Sequence, residues 1–335
     1  MTDPARRALA AWSLASARLA PLGEGHINDT WLVERPDGER FVLQRLSAAV
    51  FPDPRQVSEK VARVVEHLHR RGDVRVPALL PAGARPWHED SDGVLWRLWE
   101  FVAPARTLQR LETAAQGRAA GAAFGRLQRA LADLPGPLPD PIPGFLQLGR
   151  YLAELDLAVR DARTDAGVDA ALAAIDRRRD LAALFTERDR PIHGDGKIDN
   201  LLFAPASDEV LCIVDLDTVM RGHWAWDFGD LARSAAADGD RVNVERFASL
   251  ARGFVESGAL GGGPSAAERR EALLLAPRHL ALMLAVRFLT DHLRGDRYFK
   301  VSGRGENLRR ARVQLDLLVS MEREERRLDR ALAAL

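Results

Sequence analysis

The sequence predicts an α+β fold with two lobes, in which a small β-rich lobe over residues 1–103 precedes a larger, mainly helical lobe over residues 104–335. Two observations predict this division. The spacing of apolar residues changes near residue 103, from short alternating runs to the three- and four-residue spacing of helices. In addition, a chain of 335 residues is long enough to bury two hydrophobic cores.

The small lobe is predicted to contain short strands and one helix. Strands are expected in the runs ARLAPLG, NDTWLVER, RFVLQRL, VPALLPA and VLWRLWEFV, and the PDG between the second and third runs is typical of a hairpin turn. The helix is expected over residues 54–71, where apolar residues recur at helical spacing from Val57 to Leu68 and Pro54 suits a first turn.

The large lobe is predicted to be helical apart from two β runs, NLLF and VLCIVDL, which the turn-forming APASDE joins into a hairpin. The segments PGPLPDPIPGF and GALGGGPS are expected to be surface connections. Helices are expected over residues 108–133, 146–163, 168–186, 224–236, 241–257, 266–294 and 305–333.

Composition argues against several classes of protein. The chain has 48 Lys and Arg against 48 Asp and Glu, so it has no overall positive field to attract nucleic acid or an acidic membrane surface. Cys212 is the sole cysteine, which precludes an intrachain disulfide and suits a reducing compartment. No signal peptide is evident, and the most apolar run, LALMLAV, is too short to span a membrane. We therefore expect a cytoplasmic protein without nucleic-acid or membrane partners.

One polar loop, HGDGKIDNLLF over residues 193–203, and the run LCIVDLDTVM that follows it indicate the chemistry. Asn200 precedes the first strand of the predicted hairpin and Asp215 ends the second, so the two side chains are expected to lie close together and to face Asp195. Such oxygen ligands suit Mg²⁺, which takes a few protein oxygens and completes its shell with phosphates and water. The hairpin therefore predicts a magnesium site.

The same loop contains what phosphoryl transfer requires besides the metal. Asp195 could accept the proton of an attacking hydroxyl, and Lys197 could neutralise charge on the group in transfer. Asp195, Lys197 and Asn200 also match the D-x-K-x-x-N pattern of protein kinases. The joint pattern, rather than any one residue, predicts a phosphotransferase.

The combination HGDGKIDNLLF, CIVDLDTVM and WDFGD resembles the aminoglycoside phosphotransferase and choline kinase superfamily, whose fold is protein-kinase-like. Four further segments resemble the N-acetylhexosamine 1-kinases more narrowly: GEGHINDTWLV, FVLQRLS with the VF after it, IVDLDTVM and FLTDHLRGDRYFK. They run from Gly23 to Lys300, so the resemblance covers most of the chain. The loop motif is common to the superfamily, and the other segments narrow the substrate.

The resemblance implies roles for the loop residues. Asp195 would be the catalytic base, His193 would brace its loop, and Asn200 and Asp215 would hold Mg²⁺. It also implies a nucleotide site in the small lobe. There Gly23 and Gly25 would cover the ATP phosphates, and the backbone of Glu100 and Val102 would bind adenine.

One departure concerns the lysine that protein kinases carry on the third strand, which this chain lacks. FVLQRL offers Gln44 and Arg45 instead, and strand alternation allows only one of them to face the cleft. The sequence does not decide which. Glu59 on the following helix would be the usual partner of the missing lysine, or a solvated helix charge.

For the acceptor, the resemblance implies His26, Asp29, Thr218, Arg287 and Tyr298. Their neutral donors and one carboxylate suit the hydroxyls and amide of a sugar. Simpler roles stay open: His26 could satisfy a turn, Arg287 could pair with the aspartate four residues on, and Tyr298 could belong to the core.

Three nearby aspartates have open roles. Asp217 could support the metal or cap a turn. In the superfamily an aspartate in the WDFGD segment stabilises the catalytic loop from behind, and Asp227 is preferred to Asp230 for this role.

The sequence therefore predicts an ATP- and Mg²⁺-dependent kinase, a monomer or homodimer, which phosphorylates the anomeric hydroxyl of an N-acetylhexosamine, N-acetylglucosamine or N-acetylgalactosamine. The nearest alternative is the same reaction on an aminoglycoside, choline or homoserine. A non-catalytic ATP- or sugar-binding module is a second, because the third-strand lysine is missing. A metal hydrolase using His193, Asp195 and Asp215 is a third, although the eight histidines are scattered.

Overall fold

A computed structural model describes residues 3–23, 28–162, 165–261 and 263–335. Its small lobe is built on an antiparallel sheet of six strands among these residues, in the order β1-β2-β3-β6-β4, with β5 also paired to β6. The strands are β1 (Arg18–Pro21), β2 (Asp29–Glu34), β3 (Arg40–Arg45), β4 (Leu79–Leu80), β5 (His88–Glu89) and β6 (Leu95–Glu100).

The two faces of this sheet differ in chemistry. One face carries Leu43 and Leu98, which are buried with Ala8 and Leu9 of an N-terminal helical segment that the sequence analysis did not predict, α1 (Pro4–Ala8) with the turn after it. The other face carries Gln44, opposite Arg97 in the pairing of β3 with β6. The predicted β2–β3 hairpin is confirmed, and its polar face is the one turned toward the large lobe.

Helix α2 (Pro54–Arg71) follows β3 and agrees with the predicted bounds. Asp53 accepts a hydrogen bond from the backbone N–H of Gln56 at 2.9 Å, and Gly72 ends the helix in the left-handed conformation with φ of 72°. The valines of its apolar face are buried in the core that the two lobes share. This packing holds the helix against the large lobe.

The large lobe is mainly helical, and most of its helices lie inside the predicted segments. Thr113 and Gln116 form a capping box that starts the first of them later than predicted, and the last predicted helix divides at Glu324. The helices are α3 (Ala114–Leu131), α4 (Leu148–Asp161), α5 (Ala166–Asp176), α6 (Ala225–Ala235), α7 (Val244–Glu256), α8 (Ala266–Leu293), α9 (Glu306–Arg323) and α10 (Glu325–Ala333).

Helix α8 contains the apolar run LALMLAV and is longer than that run suggested. By length and composition alone it could cross a membrane, so the expectation drawn from the short run was too narrow. However, 67% of its most apolar window is buried inside the structure, as in a core helix.

In the described part of the large lobe, six short strands form pairs: β7 (Arg190–Ile192) with β10 (Met220–Gly222), β8 (Leu201–Phe203) with β9 (Val210–Ile213), and β11 (Ala237–Asp238) with β12 (Arg241–Val242). The predicted β8–β9 hairpin is confirmed, with Leu201 opposite Ile213. Beyond it, the N–H of Val214 donates to the carbonyl of Asn200 at 3.0 Å. The hairpin therefore holds Asn200 beside the residue that precedes Asp215.

Candidate active site

The loop that carries Asp195 is held from behind by a buried carboxylate at the start of α6. Asp227 Oδ2 accepts the backbone N–H of His193, and its Oδ1 accepts that of Gly194, both at 2.9 Å. Gln128 of α3 donates to Asp227 Oδ2 at 2.8 Å. Asp227, rather than Asp230, therefore contacts the loop, whereas Asp230 accepts from Arg233.

Two glycines allow the loop to pack closely against the segments around it. Gly194 has φ of +80°, and a Cβ there would lie 2.5 Å from the carbonyl oxygen of Thr218. A Cβ on Gly196 would lie 2.5 Å from the carbonyl oxygen of Asp227. The HGDGK sequence thus lets the backbone approach two neighbouring segments closely.

His193 joins the loop to the end of β9. Its Nδ1 lies 3.3 Å from the N–H of Asp195, and its Nε2 lies 3.0 Å from the carbonyl oxygen of Val214. Because Nδ1 accepts from a backbone donor, Nε2 is the nitrogen that carries the proton and donates to Val214. The fully buried ring thus contacts backbone groups of both segments, as a bracing role requires.

The predicted base, Asp195, is ionised and oriented by its neighbours. Lys197 Nζ lies 2.7 Å and Asn200 Nδ2 lies 3.0 Å from Asp195 Oδ2. Burial alone would raise the pKa of Asp195, but the charge of Lys197 and these hydrogen bonds hold it below its usual value. Since both side-chain bonds use Oδ2, Oδ1 is the atom left to accept a proton.

Lys197 is bound to this base. Burial works against its charge, yet the carboxylates of Asp195 and Asp215 raise the pKa of Lys197 above its usual value. The ammonium group therefore stays charged beside the predicted base.

The predicted metal ligands present free oxygen atoms. Asn200 uses Nδ2 for the carbonyl of Asp195, at 2.8 Å, and for its carboxylate, so its Oδ1 is left for a cation. Asp215 has a left-handed backbone with φ of 65°, and its side chain opens to the cleft without a hydrogen bond to a described residue.

The electrostatics around Asp215 favour a cation. Surrounding protein desolvates the carboxyl, and the carboxylates of Asp217 and Asp195 repel its charge, which together raise the pKa of Asp215 to about 6. Within the described ranges, no group of three or more His, Cys, Asp or Glu could enclose a metal. The donors present fit an ion such as Mg²⁺, which would complete its shell with phosphate and water oxygens.

Asp195, Lys197 and Asp215 open into a cavity of about 910 Å³ between the lobes, whereas the buried Asn200 is not part of its lining. The lining also includes the predicted residues Gly23, Gln44, Thr218, Arg287 and Tyr298. A cavity of this size is in the range of ligand sites, roughly 300–1,000 Å³.

In the small lobe, Gln44 rather than Arg45 faces the cavity. Arg45 points to the other side of the strand and pairs with Asp29 at 2.8 Å. Glu59 is exposed on α2 and does not line the cavity, so it is not brought toward Gln44.

The predicted adenine-binding segment lies at the end of β6, outside the cavity lining. The N–H of Glu100 already donates to the carbonyl of Ala78 at 2.9 Å, and its carboxylate pairs with Arg75. Val102 is buried. Their roles in nucleotide binding remain predictions.

On the opposite side of the cavity, Arg287 of α8 lies among aromatic rings and is not paired with Asp291. Its guanidinium carbon is 5.2–5.7 Å from the ring centroids of four aromatic residues, and Nη2 is 3.3 Å from the Tyr298 hydroxyl. Asp291 instead accepts backbone N–H groups, including that of Tyr298 at 2.8 Å. Tyr298 is 45% exposed, so it is not a core residue.

The remaining predicted acceptor residues differ in position. Thr218 is buried in the cavity wall, and its hydroxyl has no hydrogen-bond partner in the described part of the chain. Asp29 lines a neighbouring depression together with Lys300. Gly25 and His26 lie outside the described residues.

Sequence reasoning missed three residues that surround Asp217. Arg97 of β6 pairs with its carboxylate at 2.7 Å, Asn28 donates to it at 2.9 Å, and Lys60 of α2 donates to its carbonyl at 2.9 Å. Signals were present: Arg97 interrupts the apolar strand LWRLWE, and Lys60 falls on the apolar face of α2. Asp217 thus links the lobes through these contacts, and the two roles considered for it stay predictions.

The sequence model of the phosphotransferase enzyme family (APH) matches residues 18–261 of the chain. Among solved structures, a microcompartment-associated aminopropanol kinase is similar, with a TM-score of 0.72 at 18% identity, covering 98% of each chain.

Amicoumacin kinase, solved with AMP-PNP and Ca²⁺, has a TM-score of 0.63 at 13% identity, covering 89% of this chain and 87% of its own. A choline/ethanolamine kinase family protein from Mesorhizobium loti has a TM-score of 0.59 at 18% identity, and the match covers 98% of this chain and 100% of that protein's chain. These similarities confirm the predicted kinase-like fold.

Proposed function

We propose a specific reaction for this chain, which belongs to the phosphotransferase enzyme family (APH) and is therefore an enzyme that phosphorylates a hydroxyl acceptor. In the proposed reaction it transfers the γ-phosphoryl group of ATP, with Mg²⁺, to the anomeric hydroxyl of an N-acetylhexosamine. The observation that carries the proposal is the hydrogen bonding of Lys197 and Asn200 to Asp195, together with the cavity that Asp195, Lys197 and Asp215 line.

The proposed mechanism assigns one task to each of these residues. Asp195 Oδ1 takes the proton of the attacking hydroxyl, because Oδ2 is occupied by Lys197 and Asn200. Asn200 and Asp215 would hold Mg²⁺, which would supply positive charge near the phosphate oxygens. Lys197 stays protonated beside Asp195 and lowers the cost of negative charge at the transferred group. Amicoumacin kinase, with AMP-PNP bound, supports ATP as the donor.

The acceptor side of the cavity supports a neutral sugar over a polyamine. Among the described residues, the lining holds as many basic as acidic side chains, so a polyamine would meet no excess of acidic charge. These are Lys197, Arg233, Arg287, Lys300 and Arg310 on one side of the balance, and Asp195, Asp199, Asp215, Asp217 and Asp230 on the other. Aromatic rings around Arg287 offer the apolar surface that a sugar ring covers. Thr218 also lines the cavity, and its enclosed hydroxyl has no hydrogen-bond partner among the described residues. A lining without an excess of acidic charge supports a neutral acceptor over an aminoglycoside or choline.

A panel assay tests the proposal. The protein is incubated with ATP and Mg²⁺ and with single acceptors: N-acetylglucosamine, N-acetylgalactosamine, glucose, choline, homoserine and an aminoglycoside. Products are identified by ³¹P and ¹H NMR. We expect phosphate on C1 of an N-acetylhexosamine, and no product without Mg²⁺. Phosphate on C6 of a sugar, on choline or on the aminoglycoside would refute the proposed acceptor but not the assignment of the chain as a phosphotransferase.

The alternative of a non-catalytic binding module rests on the missing third-strand lysine. It predicts nucleotide binding without turnover, so an ATP assay with the same panel separates it from the proposal. The intact arrangement around Asp195 weighs against it.

A further inference from the structure

Gln44 occupies the position on β3 where protein kinases carry a lysine, and its side chain is held by two donors. Arg97 Nη2 lies 2.7 Å and Trp99 Nε1 lies 3.2 Å from Gln44 Oε1. We propose that Arg97 is a positioning residue that turns the NH₂ group of Gln44 toward the triphosphate of the bound nucleotide. This inference rests on the proposed function, because it requires a nucleotide in the cavity.

The orientation of the Gln44 amide follows from chemistry. A guanidinium group and an indole N–H can only donate hydrogen bonds. The atom of Gln44 that both of them contact must therefore be the carbonyl oxygen, whichever way the amide is drawn. The NH₂ group is then the free end, and it makes no hydrogen bond to another described residue. Gln44 lines the cavity, so this donor faces the space for the nucleotide.

Arg97 is itself fixed firmly enough to impose this orientation. It is fully buried, and its guanidinium is paired with the buried carboxylate of Asp217 at 2.7 Å. Asp217 is anchored in turn by Asn28, at 2.9 Å, and by Lys60, which donates to its backbone carbonyl. Rotation of the Gln44 amide would bring its NH₂ against two donors and break both bonds. The buried network therefore acts on the cavity through one side chain.

The network also places charge behind that side chain. Lys60 and Arg97 are two buried cations around a single carboxylate, Asp217. The guanidinium of Arg97, bonded to the Gln44 oxygen, polarises the amide and strengthens its NH₂ group as a donor toward the cavity. A neutral donor backed by a buried guanidinium thus takes the place of an exposed ammonium group. Asp217 lies two residues after Asp215. The same network therefore joins Gln44, the proposed hydrogen-bond donor to the phosphates, to Asp215, the proposed metal ligand.

The first test is Gln44→Glu. The carboxylate still accepts from Arg97 and Trp99, so the fold is retained, but both N–H donors are replaced by negative charge. The variant loses a hydrogen bond to a charged phosphate and places a negative charge there instead. We therefore expect the Kd for MgATP, measured by titration calorimetry, to rise about 10- to 100-fold. Gln56→Glu, at an exposed position on α2 outside the cavity, is the matched control and leaves this Kd unchanged. An unchanged Kd in Gln44→Glu would overturn the inference.

The second test separates positioning from structural support. Arg97→Lys keeps a charge near Asp217 but cannot bond both Asp217 and Gln44 as the guanidinium does. We expect a weaker affinity for MgATP in the wild-type background and no further loss when Arg97→Lys is added to Gln44→Leu. A purely structural role predicts equal losses in both backgrounds, which would refute the proposal. Thermal melts of each variant show that the folded protein is compared.

Failure of this inference is distinguishable from failure of the proposed function. If the wild-type protein binds MgATP and the Gln44 and Arg97 variants bind it equally well, only the positioning role is wrong. If the wild-type protein does not bind MgATP, the proposed reaction is wrong and this inference falls with it.

Discussion

Asp227→Asn tests whether one buried carboxylate holds the catalytic loop in place. The carboxylate accepts three hydrogen bonds, from the N–H groups of His193 and Gly194 and from Gln128. The asparagine oxygen can replace Oδ2, which has two of these donors, so its NH₂ group must face the N–H of Gly194. One bond is lost and replaced by a contact between donors, and the other two lose their charge assistance.

The magnitude follows from these bonds. A hydrogen bond to a charged group contributes about 1.5–3 kcal/mol and a neutral one about 0.5–1.5 kcal/mol, so the loss is roughly 3–5 kcal/mol. Part of this loss in stability is offset. Burial disfavours the charged carboxylate and so raises the pKa of Asp227, whereas the neutral amide has no such desolvation cost. We expect the free energy of unfolding to fall by about 2–4 kcal/mol, with a lower kcat because the loop carries Asp195.

Urea denaturation and steady-state kinetics measure both effects. Asp73→Asn is the matched control, since Asp73 is exposed and pairs with the exposed Arg71, and its effect should stay within about 0.5 kcal/mol. If Asp227→Asn lost less than about 1 kcal/mol and kept its kcat, the loop would be held by other contacts and the reasoning would be wrong.

Two further predictions concern other buried polar groups. Burial lowers the pKa of Lys60 to about 8, so between about pH 8 and 10.5 the unfolded chain keeps a proton that the folded one has released, and stability rises with pH. Relative to Lys60→Met, the free energy of unfolding of the wild type, measured by urea denaturation, should rise by up to about 3 kcal/mol over this pH range. Equal pH dependence of stability in the two proteins would contradict this prediction. Thr218→Val removes a buried hydroxyl that has no partner among the described residues and should stabilise the free protein by up to about 1 kcal/mol while raising the KM of the acceptor. Loss of stability with an unchanged KM would show that Thr218 serves the fold instead.

Local spacing was enough to predict much of the fold and of the site. The helix from Pro54 to Arg71 follows from its apolar periodicity and its proline, and the β8–β9 hairpin follows from two apolar runs and a turn. The short turn leaves few alternative registers for this hairpin, and the observed one brings Asn200 toward Asp215. These features depend on neighbours close in sequence, and sequence reasoning recovers such neighbours well.

Features that depend on distant pairing were not predicted. Arg97 meets Gln44 only because β6 lies beside β3 in the sheet, and Asp217 meets Arg97 only when the two lobes pack. Likewise, the choice between Gln44 and Arg45 needed the direction of the strand relative to the large lobe. A charged residue within an apolar strand was the available signal, but its partner lies 120 residues away.

The measurement that most directly tests the account is the turnover of Asp195→Asn. Asparagine keeps the size of the side chain but cannot accept the proton of the attacking hydroxyl. With ATP, Mg²⁺ and the acceptor identified by NMR, kcat should fall about 10²- to 10⁴-fold while the Kd for MgATP stays unchanged. Asp189→Asn, exposed and outside the cavity, should retain full activity. A variant at Asp195 with wild-type kcat would contradict the assignment of the base and the mechanism built on it.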